Sequence, residues 1–274
     1  MILYVSDLDG TLLNSLETIS KNSLNILNEL IDRGLNFTIA TARSQESAKN
    51  IIEPLNLKNP VIFHNGVFIY DPVRQENIMS FYIPSSMVKG IIEEFLQQDV
   101  LPFVYTYDKI EGYKVYYKEL TNDGEKMYVE SRLKNGDKRF TKIDDLSIAY
   151  NKNVICINAI GGQTKLRPVY EKLSCTYDLT YHFAEDIYVK HHWLEITDKY
   201  ANKKSAVLFL KKHLNADRIV CFGDNLNDLS MFEVSDESYA VQNAHQNIKD
   251  IATDIINSNN DDGVANYIKE VYSF

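Results

Sequence analysis

Two aspartate-rich segments, each directly after an apolar run, are the part of this chain best suited to chemistry: Asp7-Leu8-Asp9-Gly10-Thr11 and Gly223-Asp224-Asn225-Leu226-Asn227-Asp228. Two shorter segments follow apolar runs or open helices in the same way, Thr41-Ala42-Arg43 and the pair Lys203-Lys204. A carboxylate attacks phosphorus only when its repulsion from the phosphate dianion is removed, and a magnesium ion bridging the two removes it. Asp7 with Asp224 and Asp228 supplies an oxygen-rich, incomplete shell of the kind magnesium accepts, with water filling the rest. Asp9, two residues on, is placed to give a proton to a leaving oxygen. Gly10 lets the backbone come close to a phosphate and turn away. Thr41 can donate its hydroxyl to a phosphoryl oxygen, and Lys203 at a helix start adds a point charge to the helix dipole.

Each segment has a plainer reading. Asp7 and Asp9 could cap a helix or form a turn, and Asp224 to Asp228 could be an Asx-rich loop. A calcium loop is a further rival, but neither segment has its glycine at the sixth position or a glutamate at the twelfth. The joint order of all four segments is what favours a site. His191-His192-Trp193 invites a metal reading, but adjacent residues of a strand point to opposite faces, so the two histidines do not readily share one ion. The tyrosines Tyr105, Tyr107, Tyr113, Tyr116 and Tyr117 could stack on a ring or sugar. At alternating spacing they more often pack a sheet face.

The elements that must hold these residues read as α/β. Ile2–Val5 is a first strand, and Ser20 caps a helix whose apolar residues are Leu24, Leu27, Leu30 and Ile31. Phe37–Ala40 and Val61–Phe63 are further strands, separated by a helix that opens near Ser44 and stops before Pro54. Strands alternating with helices imply a parallel sheet covered on both faces. Ligands of such sheets bind beyond the carboxyl ends of the strands, where all four segments fall.

After Asn65-Gly66 a hairpin pattern begins, and the middle region reads as a separate α+β unit spanning 83–181, with residues 1–82 and 182–274 forming the first domain. The alternating pattern returns at Leu194–Ile196, followed by a helix over Lys203–His213, a strand at Ile219–Phe222 and a final helix ending near Tyr272.

Composition narrows the partners. The 274 residues can bury a full core, and 45 % hydrophobic with 24 % charged residues is the balance of a globular protein. A net charge of −9 disfavours nucleic acid, since phosphate backbones are bound by neutralising them with basic side chains. No apolar run approaches a membrane span, and the apolar start meets an aspartate too soon for a signal peptide. Cys156, Cys175 and Cys221 lie in or beside apolar stretches with no C-x-x-C pair, which reads as reduced core cysteines of a cytoplasmic protein.

Taken together, the motifs resemble those of the haloacid dehalogenase-like hydrolases, and within them the Cof-type phosphatases with a large α/β cap. Asp7-Leu8-Asp9-Gly10-Thr11-Leu12-Leu13, Thr41-Ala42-Arg43, Lys203 and Gly223 to Asp228 are similar to the four family motifs in order. Asn65-Gly66, Asn243-Ala244 and Asp262-Gly263-Val264-Ala265 are similar to secondary Cof-type signatures. The resemblance implies a Rossmann-like three-layer α/β/α core with an inserted cap that closes over it. It implies Asp7 as nucleophile and metal ligand, and Asp9 as acid/base and as a ligand through its backbone carbonyl. Asp224 and Asp228 would ligate Mg2+, the latter directly or through water, and Thr41, Lys203 and Asn227 would hold phosphate. Ala42 and Arg43 are candidates for substrate contact, although a salt bridge suits Arg43 as well. Ala42, Lys204 and Gln242 depart from the usual Gly, Gly and Met, which bears on backbone fit rather than on acid, base or metal.

The reaction so implied is hydrolysis of a small phosphorylated metabolite by a monomer or weak homo-oligomer. A phosphomutase would use the same Asp7 and Asp9, but the mutases of this family generally carry a small helical cap. A signalling receiver needs neither Asp9 nor a cap. A silent phosphate-binding protein would not need every chemical position filled.

Overall fold

The computed structural model describes residues 1–134, 136–185 and 191–272. The chain divides into two compact units, Met1–Ser80 with Ala201–Phe274, and Phe81–Tyr200.

The first unit opens with β1 (Ile2–Ser6), α1 (Lys21–Asp32), β2 (Phe37–Ile39), α2 (Gln45–Ile52) and the strands β3 (Val61–Phe63), β4 (Phe68–Asp71) and β5 (Glu76–Ser80). Ser20 caps α1 by accepting the Ser23 N–H at 2.9 Å, as its position just ahead of an amphipathic run leads one to expect. Ser44 does the same for α2. In the second unit come α3 (Ser85–Gln97), β6 (Phe103–Asp108), β7 (Gly112–Tyr117), α4 (Asp123–Lys134), β8 (Phe140–Lys142), β9 (Val154–Gly161), α5 (Gln163–Thr176), β10 (Thr180–Glu185) and β11 (His192–Thr197). The chain returns to the first unit with α6 (Lys203–His213), β12 (Arg218–Gly223), α7 (Leu229–Phe232), β13 (Glu237–Val241), α8 (Gln246–Lys249), β14 (Asp254–Ile256) and α9 (Gly263–Tyr272).

The first unit is built on a parallel sheet in the order β14-β13-β12-β1-β2. Its central strands are buried on both sides, Leu3 and Val5 as fully as Tyr4, as in a parallel sheet covered on both faces. The run Val61–Phe63 meets this sheet only through a parallel bridge between Ala40 and Ile62, and otherwise heads a three-stranded antiparallel sheet with β4 and β5.

The second unit holds a six-stranded sheet, β10-β11-β9-β6-β7-β8. The expected return to the first unit at residue 182 is corrected here: Leu194–Ile196 lies in β11, which pairs antiparallel with β9 and β10. A short apolar run reads alike in either kind of sheet, so periodicity alone did not decide its membership. The short strand β8 had no sequence signal. The tyrosines pack as the alternation implied: the rings of Tyr117 and Phe140 lie 6.3 Å apart, those of Tyr107 and Tyr113 4.7 Å apart, and Tyr116 is buried. Cys221 is buried and Cys156 half-buried, but Cys175, near the end of α5, is exposed rather than in a core. No helix among the described residues is long and apolar enough to cross a membrane.

Candidate active site

Strand order places the chemistry. β1 lies between β12 and β2, so the loops leaving their carboxyl ends emerge side by side. Asp7 directly follows β1 and its N–H donates to the Phe222 carbonyl at 2.9 Å, while Asp224 follows β12. Thr41 follows the Ala40 bridge beside β2, with the Ala40 N–H on the Ser6 carbonyl at 2.9 Å. Lys203 opens α6, where Asn202 caps the helix by accepting the Ser205 N–H at 2.8 Å.

Asp7 and Asp228 converge on one ammonium group. Lys203 Nζ donates to Asp7 Oδ1 at 2.5 Å and to Asp228 Oδ1 at 2.6 Å. All three are buried, Lys203 at 1 % exposure, Asp7 at 5 % and Asp228 at 0 %. Asp228 Oδ2 accepts the N–H groups of Asp224 and Asn225 at 3.0 and 3.1 Å, so this carboxylate shapes the loop that carries Asp224. Thr11 Oγ1 donates to Asp224 Oδ1 at 2.9 Å, tying the first segment to the fourth.

Burial pushes the Asp7 carboxyl up to about 8; Lys203 opposes this, and Asp228 and Asp224 add to it. Asp224 rises to about 6, first through burial, against the hydrogen bond from Thr11. Burial works against the charge on Lys203, but Asp7 and Asp228 outweigh it and hold the ammonium protonated. The carboxylates of Asp7, Asp224 and Asp228 offer ligand oxygens within 4.8 Å of one another, and a single ammonium pairs with two of them, Asp7 and Asp228. That surplus of hard oxygen donors and negative charge is what a divalent cation neutralises, so the residues fit magnesium. Among the described residues this is the one such group of three, and it contains neither His191 nor His192. The His192 ring instead lies 5.4 Å from that of Phe183.

Asp9 stands apart from the cluster. Arg43 Nε donates to both its oxygens, at 3.0 and 2.8 Å, and Arg43 Nη2 bonds Asp9 Oδ1 at 2.5 Å and Glu17 Oε2 at 3.0 Å. Of the two readings open for Arg43, the structure shows the ion pair, made with Asp9 and Glu17 rather than along its own helix. Thr41 is buried and accepts the Arg43 N–H at 3.0 Å, which steadies the same turn. Ala42 is exposed. Asn227 is exposed too, its Nδ2 lying 3.3 Å from Asn65 Oδ1.

Gly10 and Gly66 are both required where they stand. Gly10 has φ +74°, and a Cβ there would lie 2.5 Å from Asp224 Oδ2. Gly66 has φ +112°, and a Cβ would run into the backbone of Asn202, the cap that sets Lys203. Gly66→Ala is therefore expected to lower stability by about 1–3 kcal/mol, and activity with it, as thermal denaturation and turnover measured side by side would show.

Sequence reasoning did not find the asparagine chain behind the first segment. Asn243 Nδ2 donates to the Gly10 carbonyl at 2.7 Å, the Asn259 N–H donates to Asn243 Oδ1 at 3.0 Å, and Asn259 Nδ2 donates to the Leu13 carbonyl at 2.8 Å. The signal was Asn243-Ala244, whose partners cannot be read without the fold.

An open α/β sheet with a buried aspartate–lysine–aspartate cluster beyond its strands, interrupted by an inserted α+β unit, defines an enzyme scaffold with a carboxylate site. The chain belongs to the haloacid dehalogenase-like hydrolases: the family model matches residues 4–268. It is 28 % identical over 297 residues to "Phosphatase YwpJ" of Bacillus subtilis, with 99 % of this chain and 100 % of that protein covered. It is 27 % identical over 284 residues to "5-amino-6-(5-phospho-D-ribitylamino)uracil phosphatase YitU" of the same organism, covering 99 % and 97 %. A haloacid dehalogenase-like hydrolase of Bacteroides thetaiotaomicron, 22 % identical, shares the fold with a TM-score of 0.79 over 98 % of both chains. Family and relatives together support a phosphoric monoester hydrolase.

Proposed function

We propose that the protein is a magnesium-dependent phosphatase that hydrolyses a small phosphomonoester through an aspartyl-phosphate on Asp7. The observation that carries the reading is the buried Asp7 carboxylate, aimed by Lys203 and set beside Asp224 and Asp228. Relatives named as phosphatases, one of them for a small phosphorylated metabolite, support the substrate size.

A free Asp7 oxygen attacks phosphorus, the ester P–O bond breaks, and the leaving oxygen takes its proton from Asp9. Water then attacks the same phosphorus as Asp9 accepts its proton, the bond between phosphorus and Asp7 breaks, and phosphate leaves. Asp7, Asp224 and Asp228 with the Asp9 backbone carbonyl would hold magnesium, which when bound neutralises the charge gathered between nucleophile and phosphate. Lys203 and Thr41 hold the transferring group and Asn227 supports it from the side of the Gly223–Asp228 loop. Arg43 fixes the direction of the Asp9 carboxylate between the two proton transfers.

A panel of sugar, nucleotide and cofactor phosphates, assayed with magnesium and again with excess chelator, tests this directly. Turnover of at least one ester that stops on chelation is expected, and no turnover of any would refute the enzyme reading.

Magnesium should also act on stability with a defined pH dependence. Folding raises the carboxyls of Asp7 and Asp224 above their unfolded values, so protonation favours the folded chain. That contribution is full below the unfolded carboxylate range and is lost as pH rises through about 6 for Asp224 and about 8 for Asp7. Magnesium takes the place of those protons. At one fixed magnesium concentration its effect, about 3 kcal/mol where that concentration is a hundredfold above Kd, should therefore be larger near pH 9 than near pH 5, because Kd rises as protons compete, when melting is followed with and without the ion.

A further inference from the structure

Glu17, in the loop between the first aspartate segment and α1, stands in a conformation its side chain does not favour. Its φ of +56° is left-handed, a region that glycine and asparagine tolerate better than a glutamate. The turn around it holds that angle. Asn14 Oδ1 accepts the N–H groups of Leu16 and Thr18 at 2.9 and 3.2 Å, the Asn14 N–H donates to the Thr18 carbonyl at 3.0 Å, and the Glu17 N–H donates to the Asn14 carbonyl at 2.9 Å. Asn260 fastens the turn from outside, its Oδ1 accepting the Ser15 N–H and its Nδ2 donating to Ser15 Oγ, both at 2.9 Å. Residues Ser15 to Thr18 are all exposed, so packing does not account for the strained angle.

What the turn delivers is a carboxylate to the back of Arg43. Arg43 Nη2 divides its two N–H groups between Glu17 Oε2 at 3.0 Å and Asp9 Oδ1 at 2.5 Å, and Nε adds bonds of 3.0 and 2.8 Å to Asp9 Oδ1 and Oδ2. Asp9 Oδ1 therefore takes two contacts and Oδ2 one, which leaves Oδ2 a lone pair for a proton. A guanidinium bound to Asp9 alone would move with the carboxylate and orient nothing. Glu17 is the anchor outside that pair, and it fixes the plane of the fork along the edge that meets Asp9. The fold gains little from the contact, since the side chains of Glu17 and Asp9 are 75 % and 47 % exposed.

We propose that Glu17 is a positioning residue for the proton transfers, acting through Arg43 to hold the Asp9 carboxylate in the direction that serves the leaving oxygen. The proposal rests on the phosphatase reading for the role of Asp9, and on the turn of residues 14–18 for that of Glu17. When the ester P–O bond breaks, its electron pair goes to the leaving oxygen, and the proton on Asp9 Oδ2 neutralises it there. A carboxylate free to swing away from that oxygen transfers the proton less often, although the attack by Asp7 is unchanged.

The leaving group distinguishes this role from a structural one. 4-Nitrophenyl phosphate releases a stable anion that needs no proton, whereas benzyl phosphate and the fastest alkyl ester of the metabolite panel release alkoxides that do. Glu17→Gly removes the carboxylate and suits the left-handed angle, so the variant should melt no lower than the parent. Its kcat/KM, which covers the steps up to release of the leaving group, should fall about tenfold for the alkyl esters and less than about twofold for 4-nitrophenyl phosphate. In an Arg43→Ala chain, Glu17→Gly should change neither value further, because its path to Asp9 is already cut. Equal losses on both kinds of ester, no loss on either, or the same loss with Arg43 removed would overturn the proposal and leave the phosphatase reading. Hydrolysis of no ester by the parent chain would overturn that reading, and the proposal with it.

Discussion

Asp7→Asn should lower turnover of every phosphomonoester by about four orders of magnitude or more, the scale of losing a covalent nucleophile, without unfolding the chain. An amide is a poor nucleophile for phosphorus, and nothing else in the cluster can replace it: Asp228 spends both oxygens on Lys203, Asp224 and Asn225, and Asp224 is held by Thr11. The fold should tolerate the change because asparagine fills the same space and Lys203 keeps Asp228. Removing one of three crowded carboxylates also relieves repulsion, so the magnesium-free variant should melt no lower than the parent. Steady-state assays beside thermal denaturation separate the two effects. Unchanged turnover would remove Asp7 from the role.

Lys203→Met is expected to damage both quantities. The ammonium is buried between two buried carboxylates, and taking it away leaves them desolvated and facing each other. Breaking a buried ion pair from one side costs about 3–5 kcal/mol, and loss of a charge that stabilises the transferring group costs a further factor of about a hundred to a thousand in kcat. Magnesium should restore part of the stability, since a cation can again sit among the carboxylates, but not the turnover. Denaturant unfolding with and without the ion, together with kcat at saturating ion, reads all three. A variant that is as stable as the parent without magnesium would show that Lys203 does not neutralise Asp7 and Asp228.

Much of this was legible before the fold was known. Caps such as Ser20 and Ser44 are local, with donor and acceptor three residues apart, so sequence shows them directly. The central strands β1 and β12 are short and apolar on both faces, and the polar residues following them mark the carboxyl edge of the sheet. What stayed hidden is long-range. The bond from Thr11 to Asp224, the clasp of Arg43 on Asp9 and the path from Asn243 through Asn259 to Leu13 join residues far apart in the chain, whose types are common in any loop. Leu194–Ile196 went to the wrong unit for a related reason, because strand pairing is decided by the partner strand and not by the run itself.

The central claim is a covalent bond between phosphorus and one named carboxylate. Borohydride reduces an acyl phosphate to an alcohol, so the enzyme quenched into borohydride during turnover should carry homoserine in place of Asp7, read by mass spectrometry of the N-terminal peptide, and only when substrate and magnesium are both present. Steady release of phosphate with Asp7 unmodified, or with the label on Asp9, would contradict the account.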